Sequence, residues 1–214
     1  MHVAVIGGTG KEGFPLAVRW AQAGIEITIG SRAAEKAEEA AGRAAGLAPG
    51  SRIAGAANRA AAVGADVIVL TIPYAGQEQI LADIRSAAEG QVVIDTTVPL
   101  RQYAPPELEV VEAGSAAQQV QALLPGARVV AALHSVSSVK LARFGEPLDG
   151  DVLYCGDDAD AKRTAAGLIE ALGLRPFDAG PLRAAGTLEG LAAAIIGMNQ
   201  RYKRKAIGLR LTGI

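Results

Sequence analysis

The stretch that most constrains this chain is its opening, HVAVIGGTGKEG, in which an apolar, β-branched run passes directly into four glycines. Gly8, Gly10 and Gly13 satisfy G-x-G-x-x-G with strand-like sequence before them and helical sequence after. In that setting the first glycine permits a tight turn and the second lets a pyrophosphate approach the backbone. The third lets the helix pack close to the strand, and the unpaired N–H groups of the helix face the anion. A merely tight strand–helix turn has the same glycines, so the rest of the chain has to decide between the two.

Downstream, short β-branched runs alternate with longer alanine-rich segments, the pattern of a parallel sheet with crossover helices. Helices are expected over residues 11–23, 33–45, 58–63, 76–88 and 115–124, and strands at EITIG, RIAG, DVIVLTI, QVVIDTT and ARVVAAL. With the opening strand this makes six strands before residue 134, the number in a dinucleotide-binding sheet. Residues 98–114 carry Pro99, Pro105 and Pro106 without a clear period and are expected to be a loop or broken helix. Two further strands, GDVLYCG and LRPFDAG, flank a helix that Asp157 or Asp158 can cap, and a last helix is expected over residues 182–202. The expected fold is α/β, a Rossmann-type doubly wound parallel sheet over residues 1–142 with a smaller C-terminal α/β domain over residues 143–214.

Half of the 214 residues are hydrophobic, enough for a sizeable core. Twenty-one basic residues against 22 acidic ones leave no global charge to draw the chain to nucleic acid or to a membrane surface. The start lacks the pattern of a signal peptide, and no apolar run reaches the roughly 18 residues of a membrane span. One cysteine, Cys155, rules out an internal disulfide framework and reads as a buried small hydrophobe, so a cytoplasmic location is expected.

The second strand narrows the ligand. NAD-binding chains usually end it with a carboxylate for the ribose hydroxyls, whereas here ITIG is followed by Ser31 and Arg32, with Lys36 one helical turn on. A hydroxyl, a guanidinium fork and an ammonium suit a phosphate on that ribose, so NADP(H) is expected over NAD(H). The alternative is that Ser31 only caps the helix and both cations are solvated.

Across GGTGKEG, GSRAAEK, LTIPY, DTTVPL, ALHSV, CGDD and GLRPFDAGPL the chain resembles, nearly end to end, the NADPH-dependent coenzyme F420 reductases, also called F420H2:NADP oxidoreductases. The glycine turn and Ser-Arg-x-x-x-Lys clamp are shared more widely, and the later segments point to this family. The resemblance implies direct, reversible hydride exchange between nicotinamide C4 and deazaflavin C5, with no side-chain catalyst and no metal. It implies that Thr9, Gly10, Lys11 and Glu12 hold the pyrophosphate and that Ile72 and Pro73 border the nicotinamide. It further implies that Val98, Pro99, His134, Val136 and Leu211 line the deazaflavin pocket, that the C-terminal part closes it, and that the protein is a homodimer whose partners are small-molecule cofactors. Ser135, Val136 and Ser137 depart from the Thr-Ile-Pro of a family member, which alters one pocket wall.

His134 follows an apolar strand at the edge where ligands bind in such sheets, so it is either a deazaflavin contact or a structural histidine. Asp95, which also ends a strand, either anchors the next loop or acts at the site. Asp157, Asp158 and Asp160 read as helix capping rather than a metal centre. Arg201, Lys203, Arg204 and Lys205 either steer an anionic ligand or form a solvated helix end, and the small residues of LEGLAAAIIGMNQ let another helix come close. Two other functions fit the glycine turn: reduction of a small carbonyl or imine by NADPH, and non-catalytic sensing of NADP(H).

Overall fold

Alternation along each strand builds two cores, one on each face of a single sheet. In β1 (His2–Ile6) Val3 and Val5 point one way, and Ala4 and Ile6 the other. The same split recurs at Val67 and Val69 against Ile68 and Leu70, so strands buried on both faces read as unbroken apolar runs. The computed structural model describes all residues 1–214. After β1 the elements run α1 (Gly13–Gln22), β2 (Glu26–Ser31), α2 (Ala34–Leu47), β3 (Ile53–Ala57), α3 (Asn58–Ala62), β4 (Val67–Leu70), α4 (Gln77–Ile84) and β5 (Val92–Asp95). The order continues with β6 (Leu100–Tyr103), β7 (Pro106–Leu108), α5 (Ala116–Leu123), β8 (Arg128–Ala131) and α6 (Ser138–Leu141). The chain ends with β9 (Asp151–Gly156), α7 (Ala159–Ala171), β10 (Arg175–Asp178), a 3-10 turn at Leu182–Ala184 and α8 (Ala185–Arg201).

Eight strands form one sheet in the order β10-β9-β8-β5-β4-β1-β2-β3. All neighbours are parallel except β8 and β9, which pair antiparallel through Val130 with Gly156 and Ala131 with Cys155. Strand order reverses between β1 and β4, and the crevice at the carboxyl ends of those strands is where such sheets bind ligands. Helices α1, α2 and α7 bury their apolar sides on one face, and α3, α4, α5 and α8 on the other.

The expected boundary at residues 142 and 143 falls within this sheet. β9 and β10 extend it, and both cores draw side chains from either side of the boundary, such as Val152 and Leu168 with Val5, and Cys155 and Leu188 with Leu70. Residues 98–114 differ from the expected loop or broken helix: β6 and β7 pair as an antiparallel hairpin. Pro105 falls in the connection and Pro106 at the first position of β7, where a missing N–H interrupts no central ladder. The small residues of α8 admit this hairpin as well as α5. A Cβ on Gly197 would lie 3.3 Å from the Pro106 ring, and one on Gly186 3.2 Å from the Gly114 carbonyl. Asp158 caps α7 by accepting the Ala161 amide at 2.7 Å, while Asp157 accepts the Leu182 amide at 2.9 Å and pins the approach to α8.

Candidate functional site

The opening turn is built by its own backbone. Gly7 adopts φ +76°, the Gly8 amide donates to the Val5 and Gly30 carbonyls at 3.1 and 2.9 Å, and the Gly10 amide donates to Gly7 at 3.0 Å. The amides of Thr9, Lys11 and Glu12 donate to no group of the protein and so form an anion cradle at the start of α1. A Cβ on Gly13 would lie 2.3 Å from Thr71 Oγ1 and 2.8 Å from Gly8 Cα, so only glycine lets α1 approach β1 and β4 this closely. Gly8 and Gly13 are buried beneath the turn, shaping it rather than facing the cleft.

A cleft of about 1210 Å3 runs along the carboxyl edge of the sheet. One end holds Ser31, Arg32 and Lys36, and the middle holds Thr9, Gly10, Lys11 and Glu12, followed by Ile72 and Pro73. The other end holds Val98, His134 and Val136, roofed by Ile195 and Asn199 of α8. Arg32 and Lys36 are exposed and form no ion pair within the chain, which leaves both cations free for an anionic ligand. Ser31 Oγ accepts the Ala33 amide at 3.4 Å in the turn before α2, whose N-cap position, Ala33, offers no side-chain cap, so Ser31 does not cap the helix. The cleft is larger than the roughly 300–1,000 Å3 typical of a single small-molecule site, and its two ends are chemically distinct.

The floor at the His134 end is polar and buried. Asp95 Oδ1 accepts the Thr97 hydroxyl at 2.7 Å and the Thr97 amide at 3.3 Å, while Gln77 Nε2 donates to the Thr97 hydroxyl at 3.3 Å. Asp95 therefore does anchor the loop after β5. Burial pushes its carboxyl up to about 7, with Thr97 opposing the shift and the charge of Glu189 adding to it. Burial likewise pushes Glu12 up to about 7, opposed by the Thr96 hydroxyl and reinforced by Asp95. His134 is pushed down to about 4 by burial, only partly offset by the Thr97 backbone, and is neutral near pH 7.

The chain is 40% identical to the F420-dependent NADP reductase of Methanothermobacter thermautotrophicus, covering 100% of this chain and 96% of that protein. It is 35% identical to the F420-dependent NADP reductase of Methanocaldococcus jannaschii, with 100% and 99% covered. The chain belongs to the F420-dependent NADP reductase family. Residues 2–99 match the family model described as NADP oxidoreductase coenzyme F420-dependent. The crystal structure of a candidate F420-dependent NADP-reductase from Arthrobacter sp. FB24 superposes with a TM-score of 0.85 at 27% identity, covering 99% of each chain.

Within this F420-dependent NADP reductase fold two expected contacts lie elsewhere. Pro99 is buried behind Val98. Leu211 is not among the cleft-lining residues: its amide is held by the Asp151 carboxylate, itself bridged to Arg175 at 2.7 and 2.8 Å, where β9 and β10 begin. Of the basic cluster, Lys205 reaches the cleft wall, where its carbonyl accepts the Ser137 hydroxyl at 2.9 Å, while Arg201, Lys203 and Arg204 are exposed outside it. Burial pushes the Cys155 thiol up to about 12, which suits a packed side chain and not a nucleophile. Thr71, Thr96 and Thr97 line the cleft from within the LTIPY and DTTVPL segments, and Ile195 and Asn199 from the last helix, though the sequence singles out none of these side chains as a site residue.

Proposed function

We propose that this protein is an oxidoreductase that transfers a hydride reversibly between NADP(H) and coenzyme F420. The observation that carries this reading is the single cleft joining a pair of free cations, a cradle of free amides and a buried polar pocket, in a chain similar end to end to F420-dependent NADP reductases. When bound, the two cofactors supply the redox chemistry, a hydride passing between nicotinamide C4 and deazaflavin C5.

The chain's part is to bind, align and exclude water. Arg32 and Lys36 take the 2′-phosphate, with Ser31 beside them, and the amides of Thr9, Lys11 and Glu12 take the pyrophosphate. Glu12 can approach an anion because burial keeps much of it protonated near neutrality. Ile72 and Pro73 border the nicotinamide, and Val98, Val136 and His134 border the deazaflavin. His134 lines this end of the cleft, and both nitrogens of its neutral imidazole are buried without a hydrogen-bond partner, so a polar edge of that ring meets them after a small shift of the side chain. Residues 143–214 close the deazaflavin side through α8. The exposed Tyr103 of the hairpin and the exposed Tyr202 beyond α8 offer apolar surface for a second copy, in keeping with a homodimer.

No helix is long and apolar enough to cross a membrane. Small-molecule partners and a cytoplasmic setting fit the balanced charge and the single buried thiol. Purified protein mixed with NADPH and oxidised F420 should bleach the deazaflavin's visible absorbance. Tight NADPH binding without bleaching would instead favour a carbonyl or imine reductase or a sensor.

A further inference from the structure

Two acids meet beneath the cleft floor from separate elements, Asp95 at the end of β5 and Glu189 in α8, and a third, Glu12 at the start of α1, lines the cleft close enough for Asp95 to raise its carboxyl. None has a lysine or arginine within 4.0 Å. Asp95 is fully buried and Glu189 only 2% exposed, and a buried carboxylate without a countercharge is costly unless it is hydrogen-bonded or holds a proton. Glu189 is only partly compensated by the start of α5: its two oxygens accept the Ala116 and Ala117 amides at 3.2 and 3.3 Å, yet burial still pushes its carboxyl up. Asp95 is only half satisfied: Oδ1 is bonded to Thr97, but Oδ2 has no partner, and neither nitrogen of His134 reaches hydrogen-bond geometry, although the Thr97 backbone lies close enough to favour its charged form. One polar atom each of Asp95, His134 and Glu189 lie within 4.8 Å of one another, and His134 lines the cleft with both ring nitrogens buried just beneath its surface.

Hydride transfer alone does not balance the reaction proposed above, because NADPH + F420 + H+ gives NADP+ + F420H2 and one proton must come from somewhere. We infer that Asp95 holds that proton at Oδ2 and that His134 relays it from Asp95 to the deazaflavin ring nitrogen, with Glu189 as a positioning residue that keeps Asp95 protonated. The inference rests on the hydride-transfer reading.

His134 releases its ring N–H proton on the cleft side while its other nitrogen takes the proton from Asp95 Oδ2. On His134 one N–H bond breaks and the other forms, while the Asp95 O–H bond breaks and the deazaflavin N–H bond forms. His134 ends neutral as the other tautomer, Asp95 ends as a carboxylate, and no electrons move through either side chain. Water then returns the proton, and oxidation of F420H2 runs the sequence backwards. Neutral His134 suits this exchange, which requires no stable imidazolium. The gaps are those that ligand-induced closure or one bridging water can span. The titratable groups facing the pair from neighbouring elements are Glu12 on α1, Cys155 on β9 and Tyr74 before α4. All three are neutral when protonated and none brings a positive charge.

Infrared spectroscopy of the ligand-free protein tests where the proton sits. The wild type should show protonated-carboxyl absorption that fades as pH rises through about 7, one part of which Asp95→Asn removes while Glu12→Gln removes the other. Glu189→Gln should move the fading to lower pH by removing a neighbouring charge, which also decides the matter if Asp95→Asn fails to fold. With NADPH and F420, Asp95→Asn should slow deazaflavin reduction roughly 100-fold at unchanged KM for NADPH and flatten the alkaline fall in rate. An Asp95 already ionised at neutral pH, or an Asp95→Asn variant with the wild-type pH profile, would overturn the relay while leaving hydride transfer standing. So would one equivalent of divalent cation that Asp95→Asn loses. A wild type that shows the band but does not turn over F420 would remove the reaction and the relay with it.

Discussion

Arg32 and Lys36 illustrate how much one or two side chains can decide. Both are exposed, border the cleft and lack an internal partner, so their removal disturbs little in the protein itself. Charge-assisted hydrogen bonds to phosphate contribute about 1.5–3 kcal/mol each, which is roughly a 10- to 100-fold change in affinity. Arg32→Ala should therefore weaken NADPH binding by that factor and Lys36→Ala by somewhat less. NADH, which lacks the phosphate, should bind each variant as it binds the wild type. Fluorescence titrations with both nucleotides check this, and a parallel loss for NADH would mean that the cations meet another part of the ligand. The proposed clamp can be read from the sequence because it needs only residue type and position after β2, and the structure adds that both cations border the cleft without an internal partner. Glu189 was not legible: a lone glutamate in an alanine-rich helix reads as solvent-facing, and only the fold brings it to the amides of Ala116 and Ala117.

Between elements, the clearest tie is the one from α1 to α7. Trp20 is fully buried, and its Nε1–H donates to the Leu168 carbonyl at 2.9 Å, joining helices that are 148 residues apart in sequence. Trp20→Phe would leave a buried carbonyl without that donor and open a gap beside Leu168. A loss of about 1–3 kcal/mol is expected for the carbonyl, with a further contribution from the smaller ring, measurable as a lower urea midpoint. An unchanged midpoint would show that water or a shifted α7 replaces the donor. Helix and strand periods foretold both helices but not this contact, because periodicity gives the buried side of an element and not its neighbour. The β6–β7 hairpin escaped for a related reason: its prolines break any period, and its pairing depends on α8 packing beneath it. Leu211 escaped because a tail without periodic sequence is placed only by its partner, here Asp151.

At the scale of the whole molecule, the acids under the cleft bear on how stability varies with pH. Glu12 and Asp95 have native values near 7, against ordinary values of 4.5 and 3.8. Between those limits the native state binds more protons than the unfolded chain, so stability falls as pH rises, by ~1.4 kcal/mol per pH unit for each group. His134 acts in the opposite sense: its native value of about 4 lies below the ordinary 6.5, so stability falls as pH drops through that range. Two acids against one histidine leave a net loss on alkalinisation between about pH 4.5 and 7. The melting temperature of the ligand-free protein should therefore rise from pH 8 to about pH 5 before the ion-paired Asp149 and Asp151, both held below the usual range, lose their charge at still lower pH. Glu12→Gln isolates one contribution. It should match the wild type near pH 4.5 and exceed it at pH 8 by about 1–3 kcal/mol, the partial exposure of Glu12 trimming the full linkage value. Denaturant unfolding at the two pH values checks this, and an equal difference at both would mean that Glu12 carries no shifted proton and meets the pyrophosphate as a full charge.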